Sequence, residues 1–101
     1  MKEILATKSD DAVEVRAFGD LRKLFSDRDW PLPTYFKLKG EQPDVELAKD
    51  LDLPIEEIES VIINGKPVPF GKGIIKSGDR VAFVPPGTPG PYRAILGMVE
   101  N

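Results

Sequence analysis

The sequence predicts an α+β domain in which a mixed sheet of four to five strands packs on one main helix. Short segments of alternating apolar and polar residues indicate half-buried strands, and one segment between them has the apolar spacing of a helix. An Asn-Gly pair behind an apolar run is typical of a tight hairpin. With 101 residues, 41% of them hydrophobic, the chain has the size and apolar content of one domain with its own core.

The composition excludes much of enzyme chemistry. The chain has no cysteine and no histidine, so it lacks a nucleophilic thiol, a thiolate metal site and the commonest general base. None of its serines stands in a nucleophile-elbow motif. We therefore expect a protein that is not an enzyme by itself and that has no metal or cofactor of its own.

Charge and hydropathy bear on location and partners. The 14 Lys and Arg against 17 Asp and Glu give a net charge of -3, which provides no attraction to a phosphate backbone, so nucleic acid is not an expected partner. No apolar run approaches the roughly 18 to 20 residues that span a bilayer, and no signal-peptide pattern follows the first residues. We expect no membrane association and a cytoplasmic location.

The first quarter of the chain predicts an arm, a strand and a helical turn. Residues 1–12 are mostly polar and predict a flexible N-terminal arm. Residues 13–18 alternate, with Val13 and Val15 on the inner side, and predict the first strand. A short helical turn follows, for which Asp20 is the expected N-cap.

A loop and a second strand come next. The prolines in residues 26–33 exclude regular structure there. Within and after this loop, Trp30 and Tyr35 either cover the core edge or anchor a partner, and the first alternative is favoured. Residues 35–39 alternate with Phe36 facing inward, which predicts a strand that forms a hairpin pair with the first.

The main helix is predicted over residues 44–52. Asp44 precedes apolar residues at helical spacing and is the expected N-cap, and Pro54 ends the helix. One further turn is predicted after it, with Ile55 and Ile58 facing inward.

The remaining predicted elements are a hairpin and a last strand. Residues 61–68 form the hairpin around Asn64-Gly65, because both central positions of a type I′ turn need a positive φ. Residues 80–84 form the last strand, which Pro85 and Pro86 end. The order of two strands, a helix, a hairpin and a strand predicts the β-grasp arrangement, with the helix on one face of a mixed sheet.

Three segments carry a family resemblance. The hairpin reads V-I-I-N-G-K-P-V at residues 61–68, and the last strand reads S-G-D-R-V-A-F-V-P-P at residues 77–86. With the first strand and turn at residues 13–22, they resemble the MoaD/ThiS family of ubiquitin-like, β-grasp sulfur carriers. The resemblance covers residues 13–90, and its most specific part is the G-D-x-V-A-F-x-P-P pattern.

This resemblance implies a function and two partners. In the family, an adenylating enzyme related to ubiquitin-activating enzymes uses ATP to activate the C-terminal carboxylate, which becomes a thiocarboxylate. A cofactor-synthase subunit then receives the sulfur for molybdopterin or tungstopterin, or it enters the thiazole of thiamine. The terminal Gly-Gly of the family has no side chains and can therefore enter a narrow channel beside the nucleotide.

The C-terminus of this chain departs from that pattern. Pro89 and Gly90 occupy the positions of the two glycines, and the chain continues through residues 91–101. A carboxylate on Gly90 therefore requires removal of eleven residues, 101 minus 90. The alternative for Gly90 is a turn glycine in a segment rich in proline and glycine.

The extension has an apolar stripe of its own. Tyr92, Ile95, Leu96 and Val99 are spaced i, i+3, i+4 and i+7, so they share one face of a short helix. Such a helix is marginal alone. It must pack on its own sheet, on a second copy of the chain, as in a homodimer, or on a partner.

The candidate site residues lie in and after the last strand. Gly90 is the candidate sulfur-carrying terminus. The candidate partner-binding residues are Phe83, Pro85, Pro86, Gly87, Tyr92, Ile95, Leu96 and Val99. For Phe83, a core position is the favoured alternative. An acidic cluster, Asp50, Asp52, Glu56, Glu57 and Glu59, is interpreted as a solvated face, with a basic partner as the alternative.

Two function hypotheses remain. The first is a MoaD/ThiS-type sulfur carrier that is trimmed to Gly90. The second is a β-grasp module that binds a partner non-covalently and has lost the sulfur chemistry. A small-ligand or RNA-binding domain is disfavoured by the negative charge and by the lack of an aromatic platform.

Overall fold

The computed structural model describes the backbone of residues 4–5 and all atoms of residues 11–38 and 40–87. The described part of the chain is an α+β domain, as the alternating strand pattern and the helical spacing of the sequence predict. Its elements are β1 (Ile4–Leu5), β2 (Ala12–Ala17), α1 (Gly19–Asp27), β3 (Thr34–Lys37), β4 (Glu41–Pro43), α2 (Asp44–Asp50), a 3-10 turn (Ile55–Glu57), β5 (Ser60–Ile63), β6 (Lys66–Pro69), β7 (Ile74–Lys76) and β8 (Arg80–Val84). Neither helix of this part is long and apolar enough to span a membrane.

Six strands form one mixed sheet in the order β1-β3-β2-β8-β5-β6. β2 and β8 pair in parallel, and the other neighbours in this sheet pair antiparallel. The predicted pairing of the first two long strands is confirmed, with Val13 opposite Phe36. The predicted hairpin is confirmed as well, because Asn64 and Gly65 have φ values of 52° and 86°, as a type I′ turn requires.

The strand count exceeds the predicted four to five. β1 adds a strand to the edge of the sheet, in a region that was expected to be only a flexible arm. β4 and β7 form a separate two-stranded sheet, which was not predicted. All three strands are only two or three residues long, too short to show an alternating pattern.

Both helices pack on one face of the six-stranded sheet. From the sheet, Val13, Val15, Phe36, Val61, Val81 and Phe83 contribute to the core, and from the helices Leu21, Phe25, Leu47, Ala48 and Leu51. Strand residues alternate between faces, so the opposite face, which we call the outer face, is formed by the residues between these core positions.

Both predicted helix caps are wrong. The residue before α1 is Phe18 and the residue before α2 is Pro43, and neither provides a side-chain cap. Asp20 lies in the first turn of α1, and this helix continues to Asp27, into the region predicted as a loop. Asp44 is the first residue of α2, and its carboxylate accepts hydrogen bonds from a distant loop instead.

The end of α2 also differs from the prediction. The helix ends at Asp50, not Asp52, and the 3-10 turn follows. Ile58 is buried as predicted, but Ile55 is 37% exposed and does not face the core. Ile58 lies after the 3-10 turn in an extended conformation, with φ -112° and ψ 119°, so the two isoleucines do not share one helical face.

Candidate functional site

The chain leaves the sheet at the end of its central strand. β8 lies between β2 and β5, and Val84 is its last residue. Pro85 is half-buried, whereas Pro86 and Gly87 are exposed. Gly87 has a φ of 78°, which glycine adopts without steric cost. We call residues 85–87 the exit segment, because the chain leaves the central strand of the sheet through it.

The exit segment contacts the start of α1. Gly19 has a φ of 57°, and a Cβ placed on it would lie 3.1 Å from Cγ of Pro85. A larger residue at this position would therefore push against the proline ring and would also be strained in the left-handed region. The first turn of α1 and the chain after β8 are thus held close together.

An open groove begins at the same glycine. It has a volume of about 310 Å³ and is lined by Gly19, Arg22, Lys23, Ser26 and Leu32. Arg22 and Lys23 are exposed, and each side chain presents N–H donors and a positive charge. The groove is chemically suited to carboxylates or backbone carbonyls of a partner chain that approaches the exit segment.

The outer face of the sheet carries an apolar patch. In the strand register, Ser60 lies opposite Val84, and Ile62 lies opposite Ala82. We call these four residues the outer-face patch. Ile62 and Ala82 are half-buried, and a groove of about 170 Å³ beside them is also lined by Arg16. The patch was not identified from the sequence, although apolar residues at outward strand positions were the signal for it.

Two members of the outer-face patch are shielded from solvent. Val84 is 0% exposed and Ser60 is 3% exposed. Val84 nevertheless is not part of the core cluster to which its neighbour Phe83 belongs. In the parallel register Ala17 lies opposite Phe83, so the half-buried Phe18 lies beside Val84 on the outer face.

Phe83 is not available to a partner. Its side chain is 0% exposed within the core, and its ring packs edge-on against Phe70 at a centroid distance of 6.4 Å. The alternation of β8 places it on the helix side. Of the candidate partner-binding residues, the structure leaves Pro86 and Gly87 exposed and Pro85 half-buried, whereas Gly90, Tyr92, Ile95, Leu96 and Val99 lie outside the described residues.

Trp30 covers an edge of the core, as favoured from the sequence. Its ring packs edge-on against Phe25 at a centroid distance of 5.3 Å. On its face, the guanidinium of Arg28 lies 4.7 Å from the ring centroid, a cation–π contact. Arg28 also donates hydrogen bonds to the carbonyls of Leu51 and Asp52 at 2.7 and 2.6 Å, so Trp30 belongs to a structural contact between α1 and the end of α2.

The remaining polar candidates are spread over the surface. Asp52, Glu56 and Glu57 are exposed, while Asp50 and Glu59 are half-buried. Within the described residues, no group of three or more acidic side chains is arranged to hold a metal ion. Tyr35 is half-buried on β3.

Comparisons of the chain with protein-family models, with curated proteins and with solved structures found no match.

Proposed function

We propose that this chain is a β-grasp, ubiquitin-like sulfur carrier of the MoaD/ThiS type whose functional form ends at Gly90. The observation that carries the proposal is the position of β8, which is parallel to β2 and antiparallel to β5 in the middle of the sheet. This order supports the β-grasp arrangement. Residues 85–87 continue from the end of this central strand, and in this proposal an activating enzyme binds the folded body and draws the tail into its active site.

In this function the activating enzyme supplies the catalysis. The Gly90 carboxylate attacks the α-phosphate of ATP and pyrophosphate leaves, after which a sulfur nucleophile displaces AMP to form the thiocarboxylate. This chain contributes recognition: the exit segment presents the tail, and Arg22 and Lys23 lie in the groove beside it. Molybdopterin, tungstopterin and thiamine pathways in the cytoplasm all require such a donor.

The intact mass of the protein from its own host tests the proposal. We expect a species that ends at Gly90, part of it heavier by the exchange of one oxygen for sulfur. In vitro, a chain ending at Gly90 should release pyrophosphate from ATP with the activating enzyme. A chain ending at Pro89 and the 101-residue chain are matched controls that should not. The carrier function would be refuted if only the full-length mass were found under cofactor-producing conditions. It would also be refuted if the chain ending at Gly90 released no pyrophosphate.

A second candidate is a non-covalent interaction module, and the outer-face patch favours it. Apolar side chains occupy the outward positions Ile62 and Ala82 of two neighbouring strands, where both are half-buried, and a partner could extend this small apolar surface into an interface. Capture of the native partner by Ile62→Lys should be reduced relative to the natural chain. Ile74→Lys is the matched control, because Ile74 is 46% exposed and belongs to the other sheet. Equal capture by both variants would exclude the outer-face patch as the partner-binding surface.

A further inference from the structure

The hairpin tip Asn64-Gly65 places a side-chain amide next to an unhindered backbone nitrogen. Both residues are exposed. Gly65 has no side chain over its nitrogen, and around a Cβ placed on it nothing beyond its chain neighbours lies within 4 Å. The nitrogen of Gly65 and Cγ of Asn64 are the two atoms that join in a cyclic succinimide when an asparagine loses ammonia.

The closed turn keeps these two atoms apart. A type I′ turn gives its first central residue a ψ of about 30°, and Asn64 has the matching φ of 52°. At this ψ the nitrogen of Gly65 lies on the opposite side of the Cα–C bond from Cβ of Asn64, whereas ring closure needs both on the same side. The turn must therefore open before the two atoms can react.

Contacts with the start of β8 hold the hairpin tip closed. The backbone N–H of Asn64 donates to the carbonyl of Arg80 at 2.8 Å, and its Oδ1 accepts from the backbone N–H of Arg80 at 2.9 Å. Its Nδ2 donates to the carboxylate of Asp79 at 2.9 Å. Asp79 is itself fixed, because its other carboxylate oxygen accepts from the backbone N–H of Lys76 at 2.8 Å. Opening the tip therefore breaks a hydrogen bond to a charged acceptor, which is one of the stronger kinds.

We propose that Asn64 is a modification site that deamidates spontaneously when the hairpin tip opens, and that its contact with Asp79 limits the rate. The backbone nitrogen of Gly65 attacks Cγ of Asn64, so that an N–Cγ bond forms and the Cγ–Nδ2 bond breaks. Ammonia leaves with the proton from the Gly65 nitrogen. Water then opens the succinimide to aspartate or isoaspartate, and the reaction needs no other reactant.

Deamidation turns a stabilising contact into a repulsive one. The new carboxylate has lost the Nδ2 donor and faces the carboxylate of Asp79, and two ionised carboxylates repel each other. The hairpin tip is thereby released from the start of β8. The change is permanent, because hydrolysis of the succinimide does not restore the amide. This inference does not depend on whether the chain is a sulfur carrier.

Timed incubation of the purified full-length chain in mildly alkaline buffer measures the reaction, because base removes the proton from the Gly65 nitrogen. Tandem mass spectrometry of a peptide that contains residues 60–69 gives the fraction of Asn64 converted. We expect Asp79→Ala to react about tenfold faster than the natural chain, as the loss of one hydrogen bond to a charged group predicts. Asp79→Asn keeps an acceptor oxygen and should react at a rate close to the natural one. Equal rates for the natural chain and Asp79→Ala, or no conversion at Asn64 in either, would overturn the proposal.

Arg28→Ala separates opening of the hairpin tip from unfolding of the whole chain. This variant loses the hydrogen bonds between α1 and the end of α2 and leaves the contacts of Asn64 intact. It should deamidate at the natural rate, well below the rate of the natural chain unfolded in urea. An acceleration in Arg28→Ala equal to that in Asp79→Ala would assign the reaction to the globally unfolded chain and overturn the role of Asp79.

Discussion

Replacement of Asp44 by alanine is expected to lower the free energy of unfolding by about 3 kcal/mol. The side chain is 0% exposed. Its carboxylate accepts hydrogen bonds from the backbone N–H groups of Gly71 at 3.0 Å and of Gly73 at 3.1 Å. Hydrogen bonds to a charged group contribute about 1.5 to 3 kcal/mol each, and the alanine variant leaves a buried donor without its acceptor, so two such bonds account for the expected loss.

Two variants isolate the cause of this loss. Asp44→Asn keeps one acceptor oxygen and should lose roughly half as much. Glu46→Ala removes an exposed carboxylate from the same helix and should stay within about 0.5 kcal/mol of the natural chain. The comparison therefore separates the buried contact from a general effect of negative charge near the start of α2.

Urea unfolding followed by the fluorescence of the single tryptophan, Trp30, measures these differences. We expect a lower midpoint for Asp44→Ala with an unchanged dependence on urea concentration. A loss below about 1 kcal/mol for Asp44→Ala, or an equal loss for Glu46→Ala, would refute the conclusion that Asp44 connects α2 to the loop at residues 71–73.

Three further substitutions test other contacts by the same unfolding measurement. Arg28→Ala should cost about 2 kcal/mol and shift the emission of Trp30 to longer wavelength, and an unchanged emission would contradict the stacked arrangement. Asn64→Ala should also cost about 2 kcal/mol, because its side chain makes two hydrogen bonds of 2.9 Å and its φ is positive. A cost below half of that value would contradict a stabilising role for these two hydrogen bonds. Gly19→Ala should destabilise more than Gly40→Ala, because both glycines have a positive φ but only Gly19 has a proline ring against it. Equal losses of stability in the two variants would show that backbone strain alone, without the contact to the proline ring, acts at Gly19.

The long strands and the hairpin were predictable because their information is local. Val13 and Val15 alternate with polar residues, and both are 0% exposed. Asn64-Gly65 specifies its turn through positive φ, whatever the rest of the chain does. The short strands β4 and β7 depend on each other instead, since Glu41 pairs with Lys76 across 35 positions of sequence, 76 minus 41.

Asp44 shows why the role of a polar residue escapes a local pattern. An aspartate before a helical run predicts a cap. The partner that the structure gives it is Gly71, 27 positions further along the chain, and no periodicity connects the two. At the candidate site, the exit segment was predictable from Pro85 and Pro86. The outer-face patch was not recognised, because alternation was used to find inward residues and not to ask why outward positions such as Ile62 are apolar.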